Sequence, residues 1–472
     1  MTTRKPGDRR PPGRHKPSMP GLKTSPLQRN FALTKLGLGA GTQIMAHSIR
    51  NIFRGRMERD EANRDFVAQQ AEILASELGK LKGSVMKVGQ MLSLYGQYVL
   101  PEEAVDVLSQ LQDDSSPVAW EVMAPALERS LGHRRLAELD VDPHPIGAAS
   151  LGQAHRARRK SDGLEVVVKI QYPGVADAID SDIRTLSRLL LMTRLTPKGL
   201  DLRPMLAEVR EMLLHEVDYV SERQHTEEFA KRLAGDARFV VPRVIPEYST
   251  DRVLTTTYES GLHVKDEDVQ NLPLARRNRF GAAFIDIFLT EFFQWGLVQT
   301  DPHFGNYRLR IGATAKEDRI VLLDFGATRE FSREFIAGYR EIVLGALFGD
   351  NKQVARGADA IGLMPDTAPA SVIESFAATC ALIVEPFARP GDLAPEVVNK
   401  NGEYRWQESD LPMRAANAFA RSALTVHFRI PPREIVFLHR RLTGTYVMLA
   451  TLRAELNARQ CLLHHLGAPE DG

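Results

Sequence analysis

The sequence predicts an α+β fold in two lobes, the first strand-rich and the second helical, with a helical extension ahead of both. Three observations predict it. A glycine-bearing loop at Gly147–Gly152 leads, 15 residues after Ala154, to the alternating run Val166-Val-Val-Lys169, as expected of antiparallel strands joined by a turn at Ser161-Asp-Gly163. Between Val298 and Gly326, strand-like runs carry Asp301, Asn306 and Asp324. Beyond Gly326 the chain turns helical almost at once, at REFSREFIAGYREIVLGALF, and stays so to its last long helix, LHRRLTGTYVMLATLRAEL.

Composition bounds the rest. The chain has 472 residues, 43% apolar and 26% charged, enough for two to three domains with real cores. A net charge of +1 argues against a dedicated nucleic-acid binder. The two cysteines, Cys380 and Cys461, lie far apart in sequence, which points to a reducing compartment without a disulfide framework or a cysteine-based metal site. No apolar h-region marks a signal peptide, and no run of about 18 uncharged apolar residues marks a membrane span. The nearest candidate, Ala282–Val298, contains Asp286 and Glu291 and reads as a buried core helix.

In chain order, residues 1–30 hold eight Lys/Arg, one acid and six prolines, a disordered tail by composition. It reads as solvated, as drawn to an anionic membrane, or as a mitochondrial presequence whose helix the prolines oppose. Residues 31–57 mix apolar and basic residues without acids; they form an interfacial helix or pack on the body. Residues 60–94 form a long helix with a core stripe at Phe66, Ile73, Leu74, Leu78, Leu81, Val85, Val88 and Leu92. A second face carries Lys87 and Gln90. The expected domains are the tail 1–30, a helical extension 31–140, a first lobe 141–260 with a helical insertion after Gln171, and a helical lobe 261–472.

A phosphotransfer site of the kinase type needs an Asp near the nucleophile, then an Asn and a second Asp for magnesium. Asp301, Asn306 five residues on, and the Asp324-Phe-Gly turn supply them in that order. It also needs a lysine on the phosphates, and Lys169 closes a Val-Val-Val-Lys strand as that lysine does. The phosphate loop is Gly147-Ala148-Ala149-Ser150-Leu-Gly152; Ala149 replaces the middle glycine, so its Cβ restricts backbone approach to phosphate. A helix from Pro204 to about Leu233 carries Glu216, Asp218 and Glu222, with Asp218 and Glu222 one turn apart. Glu222 is the candidate to orient Lys169, leaving Glu216 to pair with Lys87. A strand at Val253–Tyr258 leads to Glu259-Ser-Gly261, a hinge whose backbone suits adenine. His303 reads as a loop-packing residue.

Lys87-Val-Gly-Gln90, the Ala-Ala-Ser loop at 148–150, Lys169-Ile-Gln-Tyr-Pro-Gly-Val, Glu216-Val-Asp218-Tyr and Gln299-Thr-Asp-Pro-His-Phe-Gly-Asn306 together resemble the UbiB family of atypical, protein-kinase-like ATPases. The resemblance spans nearly all of residues 60–460. It implies a bilobal protein-kinase-like fold with an added N-terminal helical domain over the cleft. In that fold Lys87 and Gln90 gate the cleft, Glu216 and Asp218 belong to the gate, and Glu216 tethers Lys87. It implies ATP and Mg2+ as cofactors, peripheral membrane contact, and a role with an isoprenoid lipid, a quinone precursor or quinone-biosynthesis proteins. Two positions depart from the family: Gly147 stands where three alanines are common, and Phe304 where many members have Pro. The expectation is a magnesium-dependent ATPase supporting ubiquinone synthesis, cytoplasmic or peripheral on the inner membrane, mitochondrial if the source is eukaryotic. The alternatives are a true protein or small-molecule kinase, and a catalytically silent lipid-binding scaffold.

Overall fold

The computed structural model describes residues 117–148, 151–193, 203–415, 418 and 432–469. The expected tail, the 31–57 segment and the 60–94 helix with Lys87 and Gln90 lie outside them. The chain divides into two compact units, one with the residues up to Val217 plus Ile245–Thr255, the other with Asp218–Val244 and everything from Thr256 on.

The first unit opens with α1 (Trp120–Leu131), whose Met123, Leu127 and Leu131 recur every fourth residue and are buried. The short α2 (His133–Ala137) leads into a four-stranded sheet of order β1-β2-β3-β5, with β1 at Leu139–Ala148, β2 at Gly152–Arg159, β3 at Glu165–Gln171 and β5 at Val253–Thr257. By sequence, His144-Pro-Ile opens a strand; β1 begins five residues earlier, at Leu139. Its two prolines are tolerated because β1 is an edge strand, and its register with β2 shifts on both sides of Pro145. The β2–β3 turn needs the left-handed backbone of Gly163 (φ 74°). Along β3 the alternation is strict: Val166, Val168 and Ile170 are buried, while Val167 and Lys169 face the other way.

A buried polar tie holds α1 to this sheet. Gln153 Oε1 accepts from the Val118 amide at 2.8 Å, and its Nε2 donates to the Val118 carbonyl at 3.1 Å. His155 Nδ1 donates to the Asp142 carbonyl at 2.8 Å, so Nε2 is the acceptor facing Gln153. Burial lowers the His155 pKa, which agrees with a neutral ring. The helical insertion is α3 (Val175–Thr193), packed on α4 (Arg203–Glu216).

The single helix expected from Pro204 to Leu233 is two helices. α4 stops at Glu216, and α5 (Tyr219–Arg232) starts after Asp218. Asp218 is the N-cap of α5: its carboxylate accepts from the Ser221 amide at 2.9 Å and from the Ser221 hydroxyl at 2.6 Å. Asp218 and Glu222 therefore do not share one uninterrupted helical face.

The second unit contains two small sheets, β4 (Phe239–Val240), β8 (Arg319–Leu322) and β7 (Tyr307–Arg310) in the order β4-β8-β7, and β6 (Leu297–Gln299) paired with β9 (Thr328–Glu330). After the short α6 (Glu267–Gln270), the buried core helix foreseen at Ala282–Val298 is α7 (Leu274–Leu289). It ends earlier than expected: Thr290–Trp295 is a π-helical turn, Gly296 turns left-handed (φ 62°), and Leu297–Val298 are already strand. α8 (Arg333–Phe348), capped by Ser332, and α9 (Asn351–Ala360), capped by Asp350, form a tight hairpin. A Cβ on Gly357 would lie 2.5 Å from the Gly338 carbonyl oxygen, so glycine sets how closely the two helices approach. α10 (Ala370–Ile383), α11 (Arg433–Thr451) and α12 (Arg459–Leu466) complete the core.

Candidate active site

In the first unit, Gly147 is exposed, Ala148 half-buried and Gly152 buried, at the facing ends of β1 and β2. Ala149 and Ser150 lie outside the described residues. Lys169 pairs in register with Ala154 on the neighbouring strand, on the face of β3 opposite the core valines. Two residues on, Gln171 ties the end of β3 to the segment holding Glu216 and Asp218: its Nε2 donates to the Val217 carbonyl at 2.5 Å and to the Asp251 carbonyl at 3.2 Å. Glu216 closes α4 and is half-buried.

In the second unit the loop between β6 and β7 folds around Asp301. Asn306 Nδ2 donates to Asp301 Oδ2 at 3.0 Å and to the Asp301 carbonyl at 3.1 Å, and Gln299 Nε2 donates to the same carbonyl at 2.9 Å. Both bonds from Asn306 leave through nitrogen, so Oδ1 is the atom with lone pairs to offer a cation. His303 Nδ1 accepts from the Gly305 amide at 3.0 Å and caps the one-turn 3-10 helix Phe304–Asn306, a loop-packing role. The Leu323 amide donates to the Asn306 carbonyl at 2.9 Å, which couples this loop to the Asp324 turn. There Asp324 Oδ1 accepts from the Gly326 amide at 2.9 Å, a local turn that fixes the carboxylate. Glu222 is buried, and its Oε2 would stand 3.1 Å from a Cβ at Gly326, so Glu222 is packed against the Asp-Phe-Gly turn.

Glu259 follows β5 and is braced on β7. Its carboxylate accepts from Arg310 Nη2 at 2.8 Å and from the Thr257 hydroxyl at 3.0 Å. Gly261 touches the same strand so closely that a Cβ there would lie 2.7 Å from Arg308 Cβ.

The sequence reading missed the contribution of α11. Arg440 Nη2 donates to Asp301 Oδ1. One turn on, Gly444 lies against Pro302: a Cβ would stand 2.0 Å from the proline Cβ. Arg441 is fully buried and donates to the Tyr307 hydroxyl at 2.6 Å, with Glu291 at 3.5 Å. Burial raises the Glu291 pKa to about 7. No motif announces these arginines; only the fold brings them to a loop 139 residues away.

Comparison with known proteins gives the family and the fold. The ABC1 atypical kinase-like domain matches residues 110–358, a span that ends before α11. Atypical kinase COQ8, mitochondrial, of Saccharomyces cerevisiae is 31% identical over 444 residues, covering 92% of this chain and 84% of that protein. The Schizosaccharomyces pombe COQ8 is 32% identical over 393 residues, covering 83% of this chain, which spans 62% of that protein. Atypical kinase COQ8B of Rattus norvegicus is 30% identical, covering 93% and 80%. A solved erythromycin complex of Rv3197 from Mycobacterium tuberculosis has a TM-score of 0.57 at 22% identity, covering 87% of this chain and all of that one, and supports the fold. The fold is α+β and kinase-like, and the chain belongs to the ABC1 family of atypical kinase-like proteins.

Proposed function

We propose that this protein is a magnesium-dependent ATPase of the atypical kinase type that supports ubiquinone or related isoprenoid-lipid synthesis at a membrane surface. The observation that carries the reading is the coupling of three groups. Asp301 is bonded to Asn306, the Asn306 carbonyl accepts from the residue before Asp324, and Asp324 is locked by its own turn. The donor set suits the metal: an amide oxygen and a carboxylate are hard ligands of the kind Mg2+ takes beside nucleotide phosphates.

In this reading Asn306 and Asp324 hold the ion, which when bound neutralises charge on the phosphate oxygens. Lys169 orients the phosphates and Glu222 positions Lys169. The loop Gly147, Ala148, Ala149, Ser150 and Gly152 covers the nucleotide, and the Glu259 segment offers backbone groups to adenine. Asp301 accepts the proton of the attacking hydroxyl or orients the attacking water, and Asn306 with Arg440 keeps its carboxylate in one position. Lys87 and Gln90 gate the cleft from the 31–140 helical extension, with Glu216 tethering Lys87 and Asp218 beside it. The lobes run 141–260 and 261–472, after a basic tail at 1–30. Among the described residues no helix is long and apolar enough to cross a membrane; the proposal takes the membrane contact as peripheral. The mitochondrial names of the relatives support a mitochondrial location in a eukaryotic source, which the proposal places at the inner membrane.

The test is phosphate release from ATP with Mg2+, by wild type and Asp324→Asn, with and without anionic liposomes and a generic protein acceptor. Hydrolysis that needs Asp324, rises with lipid and labels no acceptor supports the reading. Acceptor labelling replaces it with a protein kinase. Absence of turnover in folded protein replaces it with a lipid-binding scaffold.

A further inference from the structure

Sequence spacing predicts no cysteine-based metal site, because the two cysteines are 81 positions apart. The fold changes that for Cys461. On α12, Cys461 and His465 are one turn apart and share a face. Against that face α7 presents Asp286. Asp286 Oδ1 is 3.6 Å from Cys461 Sγ and 2.9 Å from His465 Nε2, and the three ligand atoms all lie within 4.8 Å of one another. We propose that Asp286, Cys461 and His465 form a tridentate site for a zinc-class divalent metal, which clamps α12 to α7.

The distances suit the ion. Tetrahedral bonds of about 2.3 Å to sulfur and about 2.0 Å to nitrogen and oxygen set S···O near 3.5 Å and N···O near 3.3 Å. Both lie within a few tenths of an ångström of the separations already present. The outer groups are those a metal-bound set requires. Arg238 Nη2 holds the second carboxylate oxygen of Asp286 at 2.6 Å, and Gln294 lies 3.0 Å from His465 Nδ1. Without metal, His465 Nε2–H donates to Asp286, and Nδ1 accepts from the Gln294 amide nitrogen. With metal, Nε2 becomes the ligand, its proton is carried on Nδ1, and the Gln294 amide turns its oxygen to receive it. The Cys461 thiol gives its proton to solvent. Each ion therefore releases a proton, and the thiolate with the carboxylate neutralises the dication. Binding requires loss of the Cys461 proton, so metal affinity rises with pH. The fourth position is left to water.

The test uses the full chain, stripped with a chelator, and Zn2+ and Co2+ as probes. The expected result is stoichiometric Zn2+ binding that raises the melting temperature, and a Co2+ adduct with a thiolate-to-metal charge-transfer band. Cys461→Ser removes that band and weakens Zn2+ binding by at least about 100-fold. Gln294→Ala, which keeps all three ligands, weakens it by about 10- to 100-fold. Asp324→Asn removes any binding at the nucleotide site and keeps the thiolate band, so failure here and failure of the ATPase reading are separate outcomes. A Co2+ adduct without the band, or a band that survives in Cys461→Ser, overturns the proposal. Cys461→Ala with wild-type circular dichroism excludes unfolding as the cause of lost binding.

Discussion

Gly444→Ala sets two effects of opposite sign against each other. Glycine inside a helix costs about 1 kcal/mol relative to alanine, so propensity alone predicts a more stable protein. The contact predicts the reverse. The new methyl would lie 2.0 Å from Pro302 Cβ and 2.2 Å from its Cγ, where ordinary contact begins at 3.4 Å. About 1.4 Å must be found, and the neighbour is a rigid ring rather than the tip of a flexible side chain. The loop is pinned at the two residues just before Pro302: the Thr300 hydroxyl donates to the Ala327 carbonyl at 2.7 Å, and Asp301 is held by Asn306 and Arg440. α11 is pinned too, by Arg441 on Tyr307 and by the Tyr446 hydroxyl on the Ile383 carbonyl at 2.8 Å. Overpacking of this kind costs about 1–3 kcal/mol. The net expectation is destabilisation of up to about 2 kcal/mol, a fall in melting temperature of up to roughly 8 °C for a unit of this size. Because the moved residue adjoins Asp301, ATP hydrolysis should fall by about 100-fold, as a 1 Å misplacement of a catalytic group does. A thermal melt with and without Mg2+ and ATP, and phosphate release at saturating ATP, measure both. A variant that melts higher than wild type and hydrolyses ATP normally refutes the reasoning, for the loop would then yield at no cost.

Other perturbations follow from the same geometry. Arg440→Leu removes the cation from Asp301 but leaves Asn306 in place, so kcat should fall roughly 10- to 100-fold with KM for ATP little changed; steady-state kinetics separate the two. Gly357→Ala forces a methyl against the Gly338 carbonyl and should cost about 1–3 kcal/mol in denaturant unfolding, with ATP affinity intact. His439, whose Nε2 meets the Tyr339 hydroxyl at 3.2 Å, is pushed down to about 4 by burial from its ordinary 6.5. The unfolded chain therefore binds the proton more readily. The contribution of His439 to stability is complete above pH 6.5 and is lost as pH falls from 6.5 toward 4, by at most about 3 kcal/mol. His439→Gln should flatten unfolding free energy against pH in that window.

What the sequence made legible was local. The alternation around Lys169 marked a strand with one buried face, and the spacing of Asp301 and Asn306 marked a loop whose two side chains do bond. The helix break at Val217–Asp218 was hidden because Leu206, Val209, Leu213 and Val217 run into Val220 with helical spacing. Its signal was Asp218 three residues before Ser221, a capping pattern overlooked inside a longer period. The strand at His144-Pro-Ile was legible, but its start at Leu139 was not, because Pro143 and Pro145 interrupt the run and are tolerated only on an edge strand. Arg440, Gly444 and the packing of Asp286 on Cys461 and His465 had no local signal, although Cys461 and His465 stand four residues apart. Each depends on a tertiary contact between segments more than 100 residues apart, and spacing carries no information at that range.

The ion pair between Asp301 and Arg440 also sets an order of events in time. Synthesis runs from the N-terminus at about 5–20 residues per second, so Arg440 is made roughly 7–28 s after the loop it serves. Through that interval the growing chain holds the Asp301 and Asp324 segments without the helix that seats Pro302 and anchors Asp301. Under the proposed function, arrival of α11 is then the step that anchors the catalytic carboxylate, and an unfinished chain would hold Asp301 without its arginine.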